Sequence, residues 1–332
     1  MGRNFTPNRR EVLVSIAAFA ATAPFAVRAD GWKPTKNVRI VVPFAAGGIS
    51  DVMGRRLGAY LESRWGQSVI IDNKSGAAGI IGTTDVVNSA PDGHTVLLGT
   101  TGPQALAYSL FRNLPYKREQ MTDISNLITG SNLLMINPSV PAKTVPEFVA
   151  WLKDNKGKIA YGSSGTGTST HLSATWFLRL TGAEARHVPY RGSAPAVNDL
   201  IAGTISIYFD NLANGIEFVR SGRLKALGIT SRARSSYTDL PPLCETMPEL
   251  KDYDVVTFYG IYGPAGLPGP AIAEWNSAIG DFIKLDSTKA YFKQIASDSA
   301  WASPADTKKY IDAEVAKWTG VIEKEGLKLD FG

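Results

Sequence analysis

Residues 38–51, VRIVVPFAAGGISD, run from an apolar, strand-like stretch into two glycines and then into a serine and an aspartate. Glycine lets the chain turn sharply and lets another molecule approach the backbone closely. Ser50 and Asp51 are residue types that begin helices, and the first N–H groups of a helix lack partners within it. The stretch predicts a strand, a turn and a helix whose start binds an anion, although a turn without a ligand fits the pattern as well.

The same order of apolar strand, small-residue loop and amphipathic helix recurs along the chain. Further copies are residues 94–111 (HTVLLGTTGPQALAYSLF), 158–182 (KIAYGSSGTGTSTHLSATWFLRLTG) and 187–203 (HVPYRGSAPAVNDLIAG). Two more strands are predicted within 205–215 (ISIYFDNLANG) and 223–230 (RLKALGIT). Strands that alternate with helices predict an α/β fold built on a parallel sheet.

Two segments are predicted to cross between domains. Residues 133–148, LLMINPSVPAKTVPEF, form a strand that leaves into a proline-rich turn, and residues 253–270, YDVVTFYGIYGPAGLPGP, form a strand that runs back. A chain of 332 residues is long enough for two domains. We therefore expect domain one at 30–132 plus 255–332, domain two at 133–254, and a hinge where the chain crosses between them.

The formal net charge of +5 does not indicate a nucleic-acid partner. Residues 1–29 contain four arginines and one glutamate, so the remaining chain has a net charge of only +2. No run of Lys and Arg with interleaved aromatic residues follows, and nucleic-acid binding requires a clustered basic surface. We predict neither nucleic-acid binding nor oligomerisation; the expected state is a monomer.

The first 29 residues have the pattern of an export signal. Arg9 and Arg10 precede an apolar run from 12 to 27 that is shorter than the roughly 20 residues of a membrane-spanning helix, and small residues at Val27 and Ala29 suit cleavage after Ala29. We therefore predict a periplasmic protein, and the paired arginines leave both the twin-arginine and the Sec routes open. The single cysteine, Cys244, excludes an internal disulfide and a thiolate metal cluster.

The inventory of catalytic residues is small. The three histidines, His94, His171 and His187, lack metal-ligand spacing, and the stretch GSSGTGTS at 162–169 fails the nucleophile-elbow pattern because Thr166 stands where the second glycine belongs. Neither phosphate-binding glycine pattern is satisfied. The sequence predicts no enzyme activity, no metal site and no cofactor.

Small residues instead recur where predicted strands lead into helices. These positions are Gly47, Gly48 and Ser50; Thr100, Thr101 and Gly102; and Gly165, Thr166, Gly167, Thr168 and Ser169. Helix starts attract carboxylates, and ligands of open α/β sheets bind at the carboxyl ends of the strands. We expect one ligand to be held from both domains. An aspartate at Gly167 is expected to leave the chain folded and to abolish binding.

Five stretches together resemble the Bug family, the TctC-like periplasmic solute-binding receptors of tripartite tricarboxylate transporters. The stretches are residues 38–83, 90–100 (APDGHTVLLGT), 161–172 (YGSSGTGTSTHL), 188–212 and 258–268 (FYGIYGPAGLP). The resemblance implies a periplasmic-binding-protein fold of type II-like form, with two α/β domains that close on a small organic acid. It also implies delivery of that acid to membrane permease subunits.

The resemblance assigns ligand contacts to two loops. These run from Phe44 to Asp51, including Ala45, and from Gly165 to Ser169, with some contacts through ordered water. Asp210, followed by Asn211, is implied as a partner for an amino group, if the ligand has one. Phe44, Tyr190, Phe209 and Tyr259 are aromatic residues that could stack on a ligand, or could simply belong to the core.

Two positions have become apolar relative to the family pattern and bear on the ligand. Ile49 and Ser50 stand where the family usually has Gly or Pro and then Thr, and Ile80 stands where it usually has Asn. If the isoleucines line the pocket, they favour a dicarboxylate with an apolar or aromatic body, such as terephthalate; otherwise they pack beneath the loop. The alternatives are an exported α/β hydrolase and a receptor of an ABC or TRAP transporter.

Overall fold

The computed structural model describes residues 1–2 and 31–330. Contacts between residues divide the chain into Met1–Gly31 and Trp32–Gly332, and every element named below lies in the second unit. The predicted export signal and its cleavage site after Ala29 lie outside the described residues. Within the described ranges, no helix is both long and apolar enough to cross a membrane.

Helices and strands alternate through most of the second unit. The α-helices are α1 (Ile49–Trp65), α2 (Ile80–Val87), α3 (Ala107–Leu110), α4 (Val145–Asp154), α5 (Ser169–Thr181), α6 (Ser193–Ala202), α7 (Leu212–Arg220), α8 (Gly269–Lys284), α9 (Asp286–Gln294) and α10 (Pro304–Glu325). A π-helical turn, Gly102–Leu106, leads into α3. Short 3-10 turns occupy Ala77–Gly79, Arg118–Gln120, Leu243–Glu245 and Pro248–Leu250.

The strands form one curled sheet. They are β1 (Val38–Val42), β2 (Val69–Asn73), β3 (Thr95–Thr100), β4 (Met121–Ile136), β5 (Ala160–Ser163), β6 (Arg186–Pro189), β7 (Ile207–Asn211), β8 (Lys225–Ile229), β9 (Val256–Pro264) and β10 (Asp298–Ser299). Their order is β2-β1-β3-β9-β4-β7-β5-β6, and both β8 and β10 also pair with β4. The predicted α/β class is therefore confirmed.

The opening stretch folds as predicted. β1 is almost wholly buried, and Met53, Leu57 and Leu61 on one face of α1 are 0% exposed because they pack against the sheet. α1 ends at Gly66, which adopts the left-handed conformation that glycine accepts without strain. A left-handed glycine also ends α5 at Gly182 and α6 at Gly203, as the sequence indicates.

The parallel pairing that the strand–helix repeat predicts is present in two groups of strands, but it is wrong for β4 and β9. β1 pairs in parallel with β2 and β3, and β5 with β6 and β7, but β9 and β4 pair antiparallel with their neighbours. β4 is 16 residues long and pairs with β9 through 121–131 and with β7 and β8 through 132–136. β4 is shared by two parts of the sheet and does not belong to the repeat of strand and helix in either part. The repeat therefore does not fix the direction in which β4 pairs.

The last helix closes the molecule as expected. Ser303 Oγ accepts a hydrogen bond from the Asp306 N–H at 3.1 Å, which caps the start of α10. Ile311, Trp318 and Ile322 on that helix are 0% exposed, and Val315 is half-buried beside them. This apolar stripe fixes α10 against the sheet and so keeps the strand ends in place.

Candidate functional site

A cavity lies where the carboxyl ends of β1, β3, β5, β6 and β7 meet, and it is called the cleft below. It encloses about 630 Å³, part of it open to solvent. Its lining residues are Phe44, Ala45, Ala46, Gly48, Ile49, Ser50, Thr100, Thr101, Ser164, Thr168, Ser169, Gly192, Ser193, Ala194, Pro195, Asn211, Asn214, Thr257, Phe258 and Tyr259. None of these side chains is charged, so any strong attraction for an ion must come from backbone dipoles and hydroxyl groups.

Four helices begin at the cleft. The first residues of α1, α5, α6 and α7 all belong to or adjoin the lining, and the residues before α1 and α6 are glycines without a capping side chain. Each helix start presents about half a positive charge. Their convergence directs partial positive charge into the cleft although no cationic side chain lines it.

Five backbone N–H groups in the lining are free to bind a ligand. They belong to Ile49, Ser50, Ser169, Ser193 and Ala194, and none donates to an acceptor among the described residues. Ile49, Ser50 and Ser169 are buried, and a buried N–H group without a partner is costly, so the five donors together favour an occupant with oxygen acceptors. Three helices supply them, so an occupant can be held from several sides at once.

The structure brings ten of the predicted site residues together in the cleft. These are Phe44, Ala45, Gly48, Ser50, Thr100, Thr101, Thr168, Ser169, Asn211 and Tyr259. Three others, Gly165, Thr166 and Tyr190, line an adjacent cavity. The remaining four, Gly47, Asp51, Gly167 and Asp210, line neither cavity.

Gly47 and Asp51 brace the first loop instead of contacting a ligand. The Gly47 N–H donates to Asp51 Oδ2 at 3.0 Å, and Arg55 forms an ion pair with the same carboxylate at 3.0 Å. Burial would raise the pKa of Asp51, but the hydrogen bonds from Arg55 and Gly47 outweigh it and lower the pKa. The prediction that Gly47 receives a ligand carboxylate is corrected, because its N–H is already used.

The backbone N–H of Gly167 is likewise used by a hydrogen bond within the protein. This N–H donates to His171 Nδ1 at 3.3 Å, and the φ of Gly167, +95°, lies in the left-handed region that favours glycine. A Cβ at this position would lie 2.6 Å from the Phe111 ring. The predicted carboxylate contact at Gly167, and the expectation that Gly167→Asp would fold normally, are therefore corrected.

Asp210 lies one layer behind the lining. It is 0% exposed and accepts hydrogen bonds from Ser193 Oγ, the Asn211 N–H and Asn214 Nδ2. Burial raises its pKa to about 6 despite these donors. Its implied contact with an amino group is corrected: Asp210 positions Ser193 and Asn214, which themselves line the cleft.

Two histidines whose rings are in contact support the loop from Gly165 to Ser169. The ring centroids of His171 and His187 are 4.3 Å apart, and His187 Nε2 lies 2.6 Å from Ser163 Oγ. Ser163 Oγ in turn accepts from the Gly165 N–H at 3.2 Å. Since Ser163 is 0% exposed, this Ser–His contact is closed to substrates and serves to brace the loop.

Both imidazoles are held neutral. Burial lowers the pKa of His187 to about 4, and burial together with the charge of His187 lowers the pKa of His171 to about 3. The unfolded chain therefore takes up these protons first as the pH falls from about 6.5, the ordinary histidine value. The stability that the pair contributes is fully present above that pH and is lost as the pH falls toward 4.

We expect His187→Gln to flatten the acid side of the stability profile. The melting temperature of the unaltered protein should fall more steeply between pH 6.5 and pH 4 than that of the variant, because the variant lacks one proton-binding difference between the two states. Asp210, with its raised pKa, acts in the opposite direction in both proteins and cancels in the comparison. Melting curves across this pH range provide the measurement. Parallel profiles would contradict the assignment.

Several lining residues were missed in the sequence. Ser193 and Ala194, which follow Gly192 at the start of α6, carry the same small-residue signal as the other helix starts and could have been found by it. Asn214, Thr257 and Phe258 carry no such signal, because only the assembled sheet brings them to the cleft. Of the two departures from the family pattern, Ile49 lines the cleft, whereas Ile80 is 1% exposed and packs in the core.

Fold and site together define a class of protein: a solute-binding protein of the periplasmic type. Residues 53–327 match the model of the family described as the tripartite tricarboxylate transporter family receptor, TctC. The chain belongs to this family, as its resemblance to the Bug proteins predicts. Receptors of the family bind small carboxylates and work with tripartite transporters, so the chain is a binding protein rather than an enzyme.

Individual relatives agree with this assignment over nearly the whole chain. Protein BugT of Bordetella pertussis is 33% identical over 328 residues, which are 97% of this chain and 99% of BugT. A structure of an R. palustris protein with adipate is 29% identical with a TM-score of 0.83, covering 90% of this chain and 99% of that one. MatC from Rhodopseudomonas palustris, with bound malate, is 26% identical with a TM-score of 0.82, covering 87% and 99%.

Proposed function

We propose that this chain captures a small dicarboxylate in the cleft and delivers it to the permease subunits of a tripartite tricarboxylate transporter. One observation carries the proposal: five free N–H groups from three helices face a cavity that no charged side chain lines. Carboxylate oxygens suit such donors, because hydrogen bonds to a charged acceptor are about twice as strong as neutral ones. The malate and adipate bound by the two similar proteins are both dicarboxylates.

The lining also suits an apolar body between the carboxylates. Phe44, Ile49, Phe258 and Tyr259 contribute apolar surface among the hydroxyl and amide groups. Tyr190 and Phe209, the other aromatic candidates, do not line the cleft; Phe209 is 1% exposed within the core. An aliphatic chain or an aromatic ring, as in terephthalate, would bury apolar surface here.

The two predicted domains are proposed to close around this ligand. The lining residues that fall within 44–50, 100–101 and 257–259 come from domain one, and those within 164–169, 192–195 and 211–214 come from domain two. A ligand that contacts both domains stabilises the closed arrangement over the open one. Small-angle scattering should show a smaller radius of gyration at saturation, and an unchanged radius would count against closure.

The proposal is tested with a panel of ligands on the protein from Asp30 onward. Succinate, malate, adipate and terephthalate are compared with the monoamide of each acid, first by thermal shift and then by calorimetry. At least one diacid should bind about tenfold or more tightly than its monoamide, since one charge-assisted hydrogen bond contributes about 1.5 to 3 kcal/mol. Turnover of ester substrates by the same protein, assayed separately, would favour the hydrolase alternative. Equal affinity for diacid and monoamide would contradict the proposal.

A further inference from the structure

A second cavity lies beside the cleft and is called the side cavity. It encloses about 620 Å³, part of it open to solvent, and shares Phe44 and Ser164 with the cleft. The rest of its lining is Ser75, Gly76, Ala77, Ala78, Gly79, Gly165, Thr166, Pro189, Tyr190 and Arg191. The two cavities therefore adjoin each other at Phe44 and Ser164.

Arg191 is the one charged residue in the lining of the side cavity. Its guanidinium makes no ion pair or hydrogen bond with any residue that the structure describes, whereas Arg39, Arg64 and Arg118 are each paired with carboxylates. An arginine can bind a carboxylate through two parallel hydrogen bonds. The side cavity therefore offers a cation that the cleft lacks.

The backbone at two other lining residues of the side cavity, Ala77 and Ala78, is unusual. Ala77 and Ala78 have φ values of +45° and +55°, in the left-handed region that alanine occupies at a cost. Their N–H groups find no acceptor among the described residues. A Cβ at Gly165 would lie 3.5 Å from Ala78 Cα, so the two loops meet closely here. Strained backbone of this kind clusters at ligand-binding and active sites.

We propose that the side cavity is a second anionic subsite, in which Arg191 binds the far carboxylate of an elongated ligand. The near carboxylate occupies the cleft, and the ligand's apolar body passes Phe44 and Ser164. This inference rests on the proposed function and narrows it to dicarboxylates whose acid groups stand at the two ends of a chain or ring. Arg191 then sets the preferred length of the ligand.

The test is a length series measured by calorimetry. Succinate, adipate and suberate are titrated into the unaltered protein and into Arg191→Gln and Arg191→Lys. We expect Arg191→Gln to weaken the best-bound longer diacid about tenfold or more, since it removes a charged hydrogen-bond donor, and to leave succinate unchanged. Arg191→Lys, which keeps the charge, should recover part of the loss. Arg186→Gln is the matched control, because Arg186 is exposed on β6 and lines neither cavity.

The outcomes separate the two proposals. If no diacid binds the unaltered protein, both the proposed function and the subsite are wrong. If diacids bind but Arg191→Gln weakens succinate as much as suberate, or weakens none of them, the subsite is wrong while the proposed function stands. The same holds if Arg186→Gln has an equal effect, because the loss would then reflect overall charge.

Discussion

Gly48→Asp is expected to give a folded protein that has lost dicarboxylate binding. Gly48 precedes α1 with φ −84° and ψ 173°, a conformation open to any residue, and a Cβ there would come no closer than 4.0 Å to another atom. The new carboxylate would stand beside the free N–H groups of Ile49 and Ser50. Two like charges about 4 Å apart repel by about 4 kcal/mol at an effective dielectric constant of about 20, so affinity should fall at least about a hundredfold.

Gly48→Asn is the matched control for charge. Asparagine and aspartate cap helix starts equally well, so both variants should melt no lower than the unaltered protein, and both compete for the same N–H groups. The aspartate variant should nevertheless bind much more weakly than the asparagine variant, because only it carries the charge. Calorimetry with the best diacid of the panel gives both affinities. Equal affinities would show that no anionic group sits at this helix start.

Gly167→Ala is expected to destabilise the protein by about 2 to 4 kcal/mol, the sum of a left-handed backbone cost and of overpacking. The backbone at Gly167 has φ +95°, and the new methyl group would lie 2.6 Å from the Phe111 ring. Chemical denaturation followed by fluorescence measures the loss. The loop would shift as well, so weaker ligand binding should accompany it.

Gly182→Ala separates the two causes. Gly182 has φ +63° at the end of α5, and a Cβ there would meet nothing within 4 Å. Gly182→Ala should therefore lower the free energy of unfolding only by the cost of a left-handed alanine, about 1 to 2 kcal/mol. If Gly167→Ala lowers the free energy of unfolding no more than Gly182→Ala does, the Phe111 ring moves aside at little cost. The close packing at Gly167 would then not stabilise the loop.

The local elements could be predicted because their causes are local. Strand, glycine turn and helix follow one another within 38–65. The i, i+4 spacing of Met53, Leu57 and Leu61 in the sequence predicts the apolar face of the helix. The same reasoning located six of the lining residues, Gly48, Ser50, Thr100, Thr101, Thr168 and Ser169, since helix starts at strand ends must meet at one edge of the sheet. Family membership then agrees with the five stretches that resemble the Bug proteins.

The errors arose where distant residues decide the outcome. Gly167 looked like an open turn, but Phe111 fills its space and His171 takes its N–H. The sequence left Asp210 available to a ligand amino group, but in the structure it is buried and accepts three hydrogen bonds from within the protein. The direction of β9 depends on its pairing with β3 and β4, which the repeat of strands and helices does not encode. Which N–H groups stay free is likewise a property of the assembled molecule.

The central claim is that backbone N–H groups at three helix starts bind the ligand's carboxylate. The most direct measurement is a titration of the isotope-labelled protein, followed through its amide resonances, with the diacid that gives the largest thermal shift. We predict that the amides of Ile49, Ser50, Ser169, Ser193 and Ala194 move most and saturate together. Saturable binding that leaves these five amides unmoved, with shifts confined to other surfaces, would contradict the claim.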